Sequence, residues 1–520
     1  MPPKSSRKRK GTAPLASAGT PVKRVRATAA VTAPPFPSVA PNQRLDVYVC
    51  GTNDSGELGM GDSVTEIVRP RLNPNLAAGA VGVVHLAVGV DHAAALTRDN
   101  RILTWVQTST GPWGGIRQGI HMMMTVTTAM EMVLGGYRNW PDEPDDDDPN
   151  NVDYQPDGDT DDDRPLCNLM EATPTQVDPA AFPQGTIFTQ LAATKSATFV
   201  LTSTGSVYGW GTFRGSNGVM GFSQTSQQEL RPVLINNLTD VAKLVAGAQH
   251  MLALTSEGKV FSWGCNEQYQ LGRQRSHYIS PHDLEPVPCA VPARVVEIGS
   301  GHYHSFAIHK SGDIYAWGLN DYGQTTMPQS ARFEREISPK KLPMLKRKGN
   351  VPNDDPRIIS IQGGRHHSHA IDKNGYCHSW GRIDKHGIGV DKQRLALMVD
   401  EIAIIRGQDG RDRVVKVPVQ TEVVSGATSL GIGTDHSIAI TATGEGYSWG
   451  INDKHQTGQP GESNVYLPTQ MRSDFINGKT LIFAGGGDNS AFSPNNQGDR
   501  DYTQRPRRSR RLMNMNQGNS

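Results

Sequence analysis

The chain has 520 residues, with 52 Lys and Arg against 51 Asp and Glu and a formal net charge of +1. That length suits several ordinary domains or one large repeat array. Five cysteines without a Cys-x-x-Cys pair argue against a disulfide framework and a zinc site and fit a reducing compartment. No apolar run approaches a membrane span, and the basic N-terminus lacks the apolar stretch of a signal peptide.

Residues 1–43 are rich in Pro, Ala, Ser, Lys and Arg, a composition that predicts a disordered basic tail. Its two basic clusters are Arg7, Lys8, Arg9 and Lys10, then Lys23, Arg24 and Arg26. Paired clusters in a disordered terminus suit a nuclear-import signal and an arm for DNA phosphate.

Residues 44–493 are dominated by a repeated phrase. A β-like run ends in Trp-Gly at Trp210-Gly211, Trp263-Gly264, Trp317-Gly318, Trp380-Gly381 and Trp449-Gly450. Cys50-Gly51 is the same phrase with Cys for Trp, and Trp105-Val106 is a truncated copy. A second phrase, Gly-x-x-His, precedes most copies and ends at His92, His250, His304, His367 and His436. Seven copies of short strands separated by Gly, Pro or Asn turns predict an all-β fold, a seven-bladed β-propeller of four-stranded units. The last copy, Ala484 to Asn489, is followed by no Trp-Gly strand, so the first strands near Leu45 to Gly51 are expected to complete the final blade. Histidines that recur once per blade (His92, His250, His304, His436) suit hydrogen bonds between neighbouring blades rather than a metal cluster.

After Trp105 the phrase breaks off. Residues 106 to about 134 are rich in Thr, Met and Gly and fit neither strand period nor turn chemistry. Read one nucleotide earlier, their codons give an obligatory Gly after Trp105 and three Asp in place of Met123, Met124 and Thr125. The stretch therefore reads as translated out of frame, the alternative being a genuine divergent insertion. An acidic insert follows around 135–165, and residues 494–520 form a second disordered basic tail with Arg505, Arg507, Arg508, Arg510 and Arg511.

Trp-Gly-x-Asn-x-x-Gly-x-Leu-Gly paired with Gly-x-x-His resembles the regulator-of-chromosome-condensation family over roughly Leu45 to Phe492. The stretch Trp210-Gly211-Thr212-Phe213-Arg214-Gly215-Ser216-Asn217-Gly218-Val219-Met220-Gly221 resembles its fungal, chromatin-bound branch, the guanine nucleotide exchange factors for the small GTPase Ran. The resemblance implies a β-wedge at Arg214, Gly215, Ser216, Asn217, Gly218 and Val219. It also implies GTPase contacts at Asp54, Arg273 and His367. Ran, an import receptor and nucleosomal DNA phosphate are the implied partners, in the nucleus at chromatin, supporting nucleocytoplasmic transport and mitosis. No membrane, metal or cofactor is implied. Lys195, Ala197, Gln249, Gly323 and Asp488 depart from the better-known animal pattern, where Asp, His, Asp, His and His are usual. Because exchange makes and breaks no bond, no nucleophile is sought. The alternative is a chromatin-binding propeller scaffold without exchange activity.

Overall fold

The computed structural model describes residues 41–495 apart from 54–55, 62, 91, 107–171, 215–219, 224, 275–280, 327–334, 343–356, 386, 392, 394, 396–403, 407–411, 422–423 and 487–489. Both tails, the acidic insert, residues 107–134 of the anomalous stretch, Asp54, Gly215 to Val219 and Asp488 lie outside the described residues.

The repeat phrase folds into one sheet. In the sheet containing Trp263, the strands Val241–Ala246, His250–Thr255, Val260–Gly264 and Val287–Pro288 pair antiparallel in sequence order. The remaining large sheets follow the same plan and are named after the residue near the end of their third strand: Cys50, Trp105, Trp210, Trp317, Trp380 and Trp449. Among the described residues six sheets have four strands. The Trp380 sheet has five, because Ile404–Arg406 pairs with the long strand Asp412–Gln420. The expectation of uniform four-stranded units is corrected at that point. A two-stranded ribbon, Phe213–Arg214 with Met220–Gly221, stands apart from the large sheets.

The first strands meet around a circle. Val83–Val88 touches Phe188–Ala193, followed in turn by Val241–Ala246, Val295–Ser300, Ile358–Gly363, Ala427–Ile432 and Thr480–Gly486, which returns to Val83–Val88. The fold is a β-propeller. Its ring is closed by the Cys50 sheet, where Tyr48–Thr52 from the start of the chain pairs with Ser490–Asn495 from its end. The first strands line a central cavity of about 260 Å³.

A recurrent clasp joins neighbouring sheets. His250 Nε2 lies 2.8 Å from Ser305 Oγ of the next sheet, and that hydroxyl donates to Gln270 O at 2.9 Å. The serine proton is thus used, so Nε2–H donates to the hydroxyl oxygen. Trp317 Nε1–H donates to the same Gln270 carbonyl at 2.8 Å. One sheet further on, His304, Ser368, Trp380 and Gln324 O repeat the arrangement, with distances of 2.8, 3.0 and 2.7 Å. His92 with Thr198 (2.8 Å) and His367 with Ser437 (3.2 Å) use the same two positions. The expected inter-blade role of His92, His250 and His304 is what these contacts describe. The tryptophans are buried between sheets, Trp317 for example in one apolar cluster with Leu252 and Leu254 of the preceding sheet and Ile298 of its own.

The glycine after each tryptophan is required by geometry. Gly211, Gly264, Gly318, Gly381 and Gly450 have φ between 102° and 113°. A Cβ at each would lie 2.3–2.6 Å from a backbone carbonyl oxygen of the turn entering the second strand. Val106 occupies the same register position in the Trp105 sheet, paired with His92 as Gly264 is paired with His250.

Candidate protein-binding face

Antiparallel order puts two kinds of turn at the same end of every sheet. The Gly-x-x-His turn joins strands one and two, and the Trp-Gly loop joins strands three and four. Both therefore emerge on one face of the ring. Arg214, Arg273 and His367 all come from these turns, so topology gathers the described candidates at one end of the molecule. Their side chains differ in what they can do.

The ribbon carrying Arg214 pairs Phe213 with Gly221 and Arg214 with Met220. Its base is aromatic. Phe213 and Phe222 stack at 6.0 Å between ring centres and lie 5.5 and 5.9 Å from Phe199, against which Trp263 packs edge-on at 5.6 Å. Gly209 leaves room for Phe199, whose ring would sit 2.5 Å from a Cβ there. Each aromatic contact contributes about 0.5–1.5 kcal/mol beyond burial, so the ribbon springs from a stiff footing. The indole N–H of Trp263 is buried without a hydrogen-bond partner among the described residues. In the clasped sheets the loop of the preceding sheet supplies that acceptor; before Trp263 that loop is the ribbon.

Arg273 is half-buried and held internally. Its Nη1 donates to Ser262 O at 3.2 Å and to Ser262 Oγ at 2.9 Å, and its Nε approaches Asp283 Oδ1 at 3.4 Å. Burial draws the guanidinium below its ordinary pKa, opposed by the Asp283 carboxylate. The geometry gives Arg273 a loop-fastening task.

His367 is only 2% exposed. Its ring lies inside the ring of sheets, beside His369 (5.2 Å between centres) and Ser437. The imidazole nearer the face belongs to the preceding residue, His366, whose side chain is 13% exposed. It packs on Tyr322 at 4.5 Å between ring centres, and its Nε2 is 3.9 Å from Asp321 Oδ2. The Arg382 guanidinium covers Tyr322 at 4.6 Å. Asp384 accepts from Arg382 Nε at 2.7 Å, from Arg382 Nη2 at 3.2 Å and from Arg413 Nη1 at 3.2 Å. Burial, reinforced by Arg365 and Arg382, pushes His366 down to about 2, so it is neutral at physiological pH. Sequence reasoning passed over this cluster because the phrase Gly-x-x-His draws attention to its last residue. The available signal was Ile383, which replaces the loop-closing Asn of Asn266, Asn320 and Asn452.

The departure at Gly323 also has a local cause. Tyr269 and His455 carry side chains at a similar φ in the equivalent loop position, so the cause is the neighbour: a Cβ at Gly323 would stand 3.2 Å from Val414 Cγ1 of the long strand Asp412–Gln420. Ala197 and Met251 occupy the His and Ser positions at one junction, both fully buried in one apolar cluster. The polar pair has been replaced as a pair.

Known proteins place this architecture. Protein pim1 of Schizosaccharomyces pombe is 32% identical over 449 residues, covering 86% of this chain and 74% of pim1. The guanine nucleotide exchange factor SRM1 of Saccharomyces cerevisiae is 30% identical over 455 residues, covering 86% of each. The crystal structure of Prp20p from Saccharomyces cerevisiae, described with its binding properties to Gsp1p and histones, superposes with a TM-score of 0.71 at 28% identity, covering 88% of this chain and 93% of Prp20p. A structure of Kap60 bound to yeast RCC1 (Prp20) gives a TM-score of 0.73 at 26% identity, covering 93% of this chain and 97% of that one. The description of the RCC1-like domain matches residues 46–492, and the chain belongs to that family.

Proposed function

We propose that this protein is a guanine nucleotide exchange factor for the small GTPase Ran, acting at chromatin in the nucleus. The observation that carries the reading is the Phe213–Gly221 ribbon. It rises from an aromatic footing on the face where the Gly-x-x-His and Trp-Gly turns converge. Relatives at 30–32% identity, one of them named as an exchange factor, support it. The ring is read as seven-bladed, with the five-stranded sheet counted as a blade, and residues 44–493 as one domain between two basic tails.

A small GTPase holds its nucleotide through phosphate and Mg²⁺ contacts, and a picomolar affinity corresponds to about 16 kcal/mol. An exchange factor accelerates release by binding the empty GTPase better than the loaded form; linkage then weakens nucleotide by the same factor. A ribbon on a stiff base suits this task, because little of its binding free energy is lost in ordering the base. The direction of exchange follows the cellular ratio of GTP to GDP.

The two ends of the described chain leave from the opposite face, since Tyr48 pairs with Phe492 at the far end of the Cys50 sheet. Basic tails attached there could engage DNA phosphate, and Arg7 to Lys10 and Lys23 to Arg26 an import receptor, without crossing the GTPase face. Support of nucleocytoplasmic transport and mitosis is part of the same proposal.

The test is release of fluorescent GDP from purified Ran at catalytic concentrations of this protein. Acceleration by several orders of magnitude supports the reading, and Arg214→Ala should abolish it while leaving nucleosome binding intact. A folded, monodisperse sample that leaves release unchanged leaves the scaffold as the surviving alternative.

A further inference from the structure

The cluster around Tyr322 ties together four segments on the ribbon face. Tyr322 comes from the Trp-Gly loop of the Trp317 sheet, and His366 from the Gly-x-x-His turn of the Trp380 sheet. Arg382 and Asp384 come from the Trp-Gly loop of that same sheet. Arg413 comes from the long strand that carries the fifth-strand hairpin. The position of Arg382, directly after Trp-Gly, is held by Thr212, Cys265, Leu319 and Ile451 in other sheets. A charged residue there is therefore peculiar to this one. Its fork is engaged bidentately by Asp384 and its plane lies on an aromatic ring, the two features that distinguish Arg from Lys. The same aromatic ring packs against the His366 imidazole at 4.5 Å between ring centres, and the His366 Nδ1 is buried without a hydrogen-bond partner among the described residues.

A stack of this kind has a cost if its only purpose is loop closure. Four other loops are closed by one Asn side chain that accepts a backbone N–H five residues on, as Asn53, Asn266, Asn320 and Asn452 do at 2.8–3.2 Å. The Trp380 sheet replaces this with Ile383 and an ion network in which Asp384 orders two arginine side chains, Arg382 and Arg413. Ordering them costs side-chain entropy. What the network adds is a histidine on the partner face with its plane fixed from the neighbouring sheet.

We propose that Tyr322 and Arg382 are positioning residues: they hold His366 in the orientation in which it meets the GTPase, so that docking does not have to order it. The proposal rests on the exchange-factor reading above. It assigns specificity and affinity to this sector and leaves the ribbon to displace nucleotide.

The experiment is a Michaelis analysis of GDP release from Ran with full-length protein carrying Tyr322→Ala, Arg382→Gln, His366→Ala and the double variant Tyr322→Ala/His366→Ala. Melting temperatures are recorded alongside. Tyr322→Ala and Arg382→Gln should each raise KM about tenfold with kcat within twofold of the parent. Tyr322→Phe, which keeps the ring, should restore the parental KM. In the His366→Ala background, Tyr322→Ala should change KM by less than twofold, because its effect passes through His366.

An unchanged KM in a folded Tyr322→Ala protein overturns the proposal, as does a full additional tenfold in the double variant. If Tyr322→Ala proves unstable, Tyr322→Leu and the ¹³C line width of the His366 ring replace it, and a ring signal unchanged from the parent overturns the proposal equally. Failure of the parental protein to release GDP at all is a different result and sinks the exchange-factor reading instead.

Discussion

Cys50 and Gln456, 406 residues apart in sequence, are joined by a hydrogen bond from Sγ to the backbone carbonyl at 3.6 Å. The thiol performs there what Trp317, Trp380 and Trp449 perform with their indole N–H at other junctions, donating to the loop of the preceding sheet. Ring closure thus uses the same contact as the rest of the ring, with a smaller donor. Gly458 approaches Cys50 Sγ so closely that a Cβ would lie 3.0 Å away. The junction is packed for sulfur.

Cys50→Ala should therefore cost about 1–2 kcal/mol, a weak hydrogen bond plus a small buried volume. Cys50→Trp, the residue of the other sheets, should cost more because the site is already filled. Urea titration of both variants checks the order. A Trp variant as stable as the parent would show that the junction has room to spare. Burial also pushes the thiol far above its ordinary pKa, so Cys50 should resist alkylation until the protein unfolds.

Val106 stands where the six other large sheets have a glycine with φ above 100°. Val106→Gly, which restores the residue the other sheets carry at this register position, should raise stability by about 1 kcal/mol. The reverse change, Gly381→Val, places a Cβ 2.4 Å from His366 O and should cost about 3 kcal/mol or more. Thermal melting distinguishes the two directions. Resequencing of the transcript bears on the same site: a glycine codon directly after that of Trp105 is expected.

Acid should loosen the ring. Burial lowers His250 and His304 to about 3 and His92 to about 4, well below the ordinary value of 6.5. Between those values the unfolded chain binds more protons than the folded one. The stabilisation is fully present above pH 6.5 and is lost as pH falls toward 3, at about 1.4 kcal/mol per pH unit for each histidine. Unfolding free energies at pH 7.5, 6, 5 and 4 should fall steeply, and His250→Gln should make the fall shallower. A flat profile between pH 6.5 and 5 would mean that these histidines take up protons equally in the folded and unfolded states.

The Ala197 and Met251 junction can be rebuilt as a clasp. Ala197→His or Met251→Ser alone leaves a buried polar group without its partner, at about 1–3 kcal/mol. The double variant should be less damaging than the sum of the two by about 1 kcal/mol or more. A double-mutant cycle in urea measures this term directly; simple additivity would show that the two positions do not meet.

Much of the ring was legible from the sequence because its parts repeat. Trp, Gly and His return at fixed places, and the lack of a Trp-Gly strand after Asn489 pointed to closure by the first strands, as the pairing of Tyr48 with Phe492 shows. What the sequence hid lies where the repeat departs from itself. Ile404–Arg406 adds a strand because Val414 and Val415 offer it an outer edge, a long-range pairing with no local signature. Arg273 is captured by Asp283 across ten residues, and Ser262, which also holds it, is a residue of the strand before it. His366 and His367 are adjacent in sequence and point to different environments, the first against Tyr322, the second toward Ser437. His366 ends the turn and His367 begins the strand, so motif matching to within one residue does not choose between them.

The position of both chain ends in one sheet has a mechanical consequence. Tension applied between the two tails would not be shared around the ring. It would fall on the pairing of Tyr48, Val49 and Cys50 with Phe492, Ala491 and Ser490, pulled from the end where both strands meet their tails. Such loading peels hydrogen bonds one after another instead of shearing them together. The propeller would yield to a tug between its tails by opening at that single seam, while the face carrying the ribbon kept its shape.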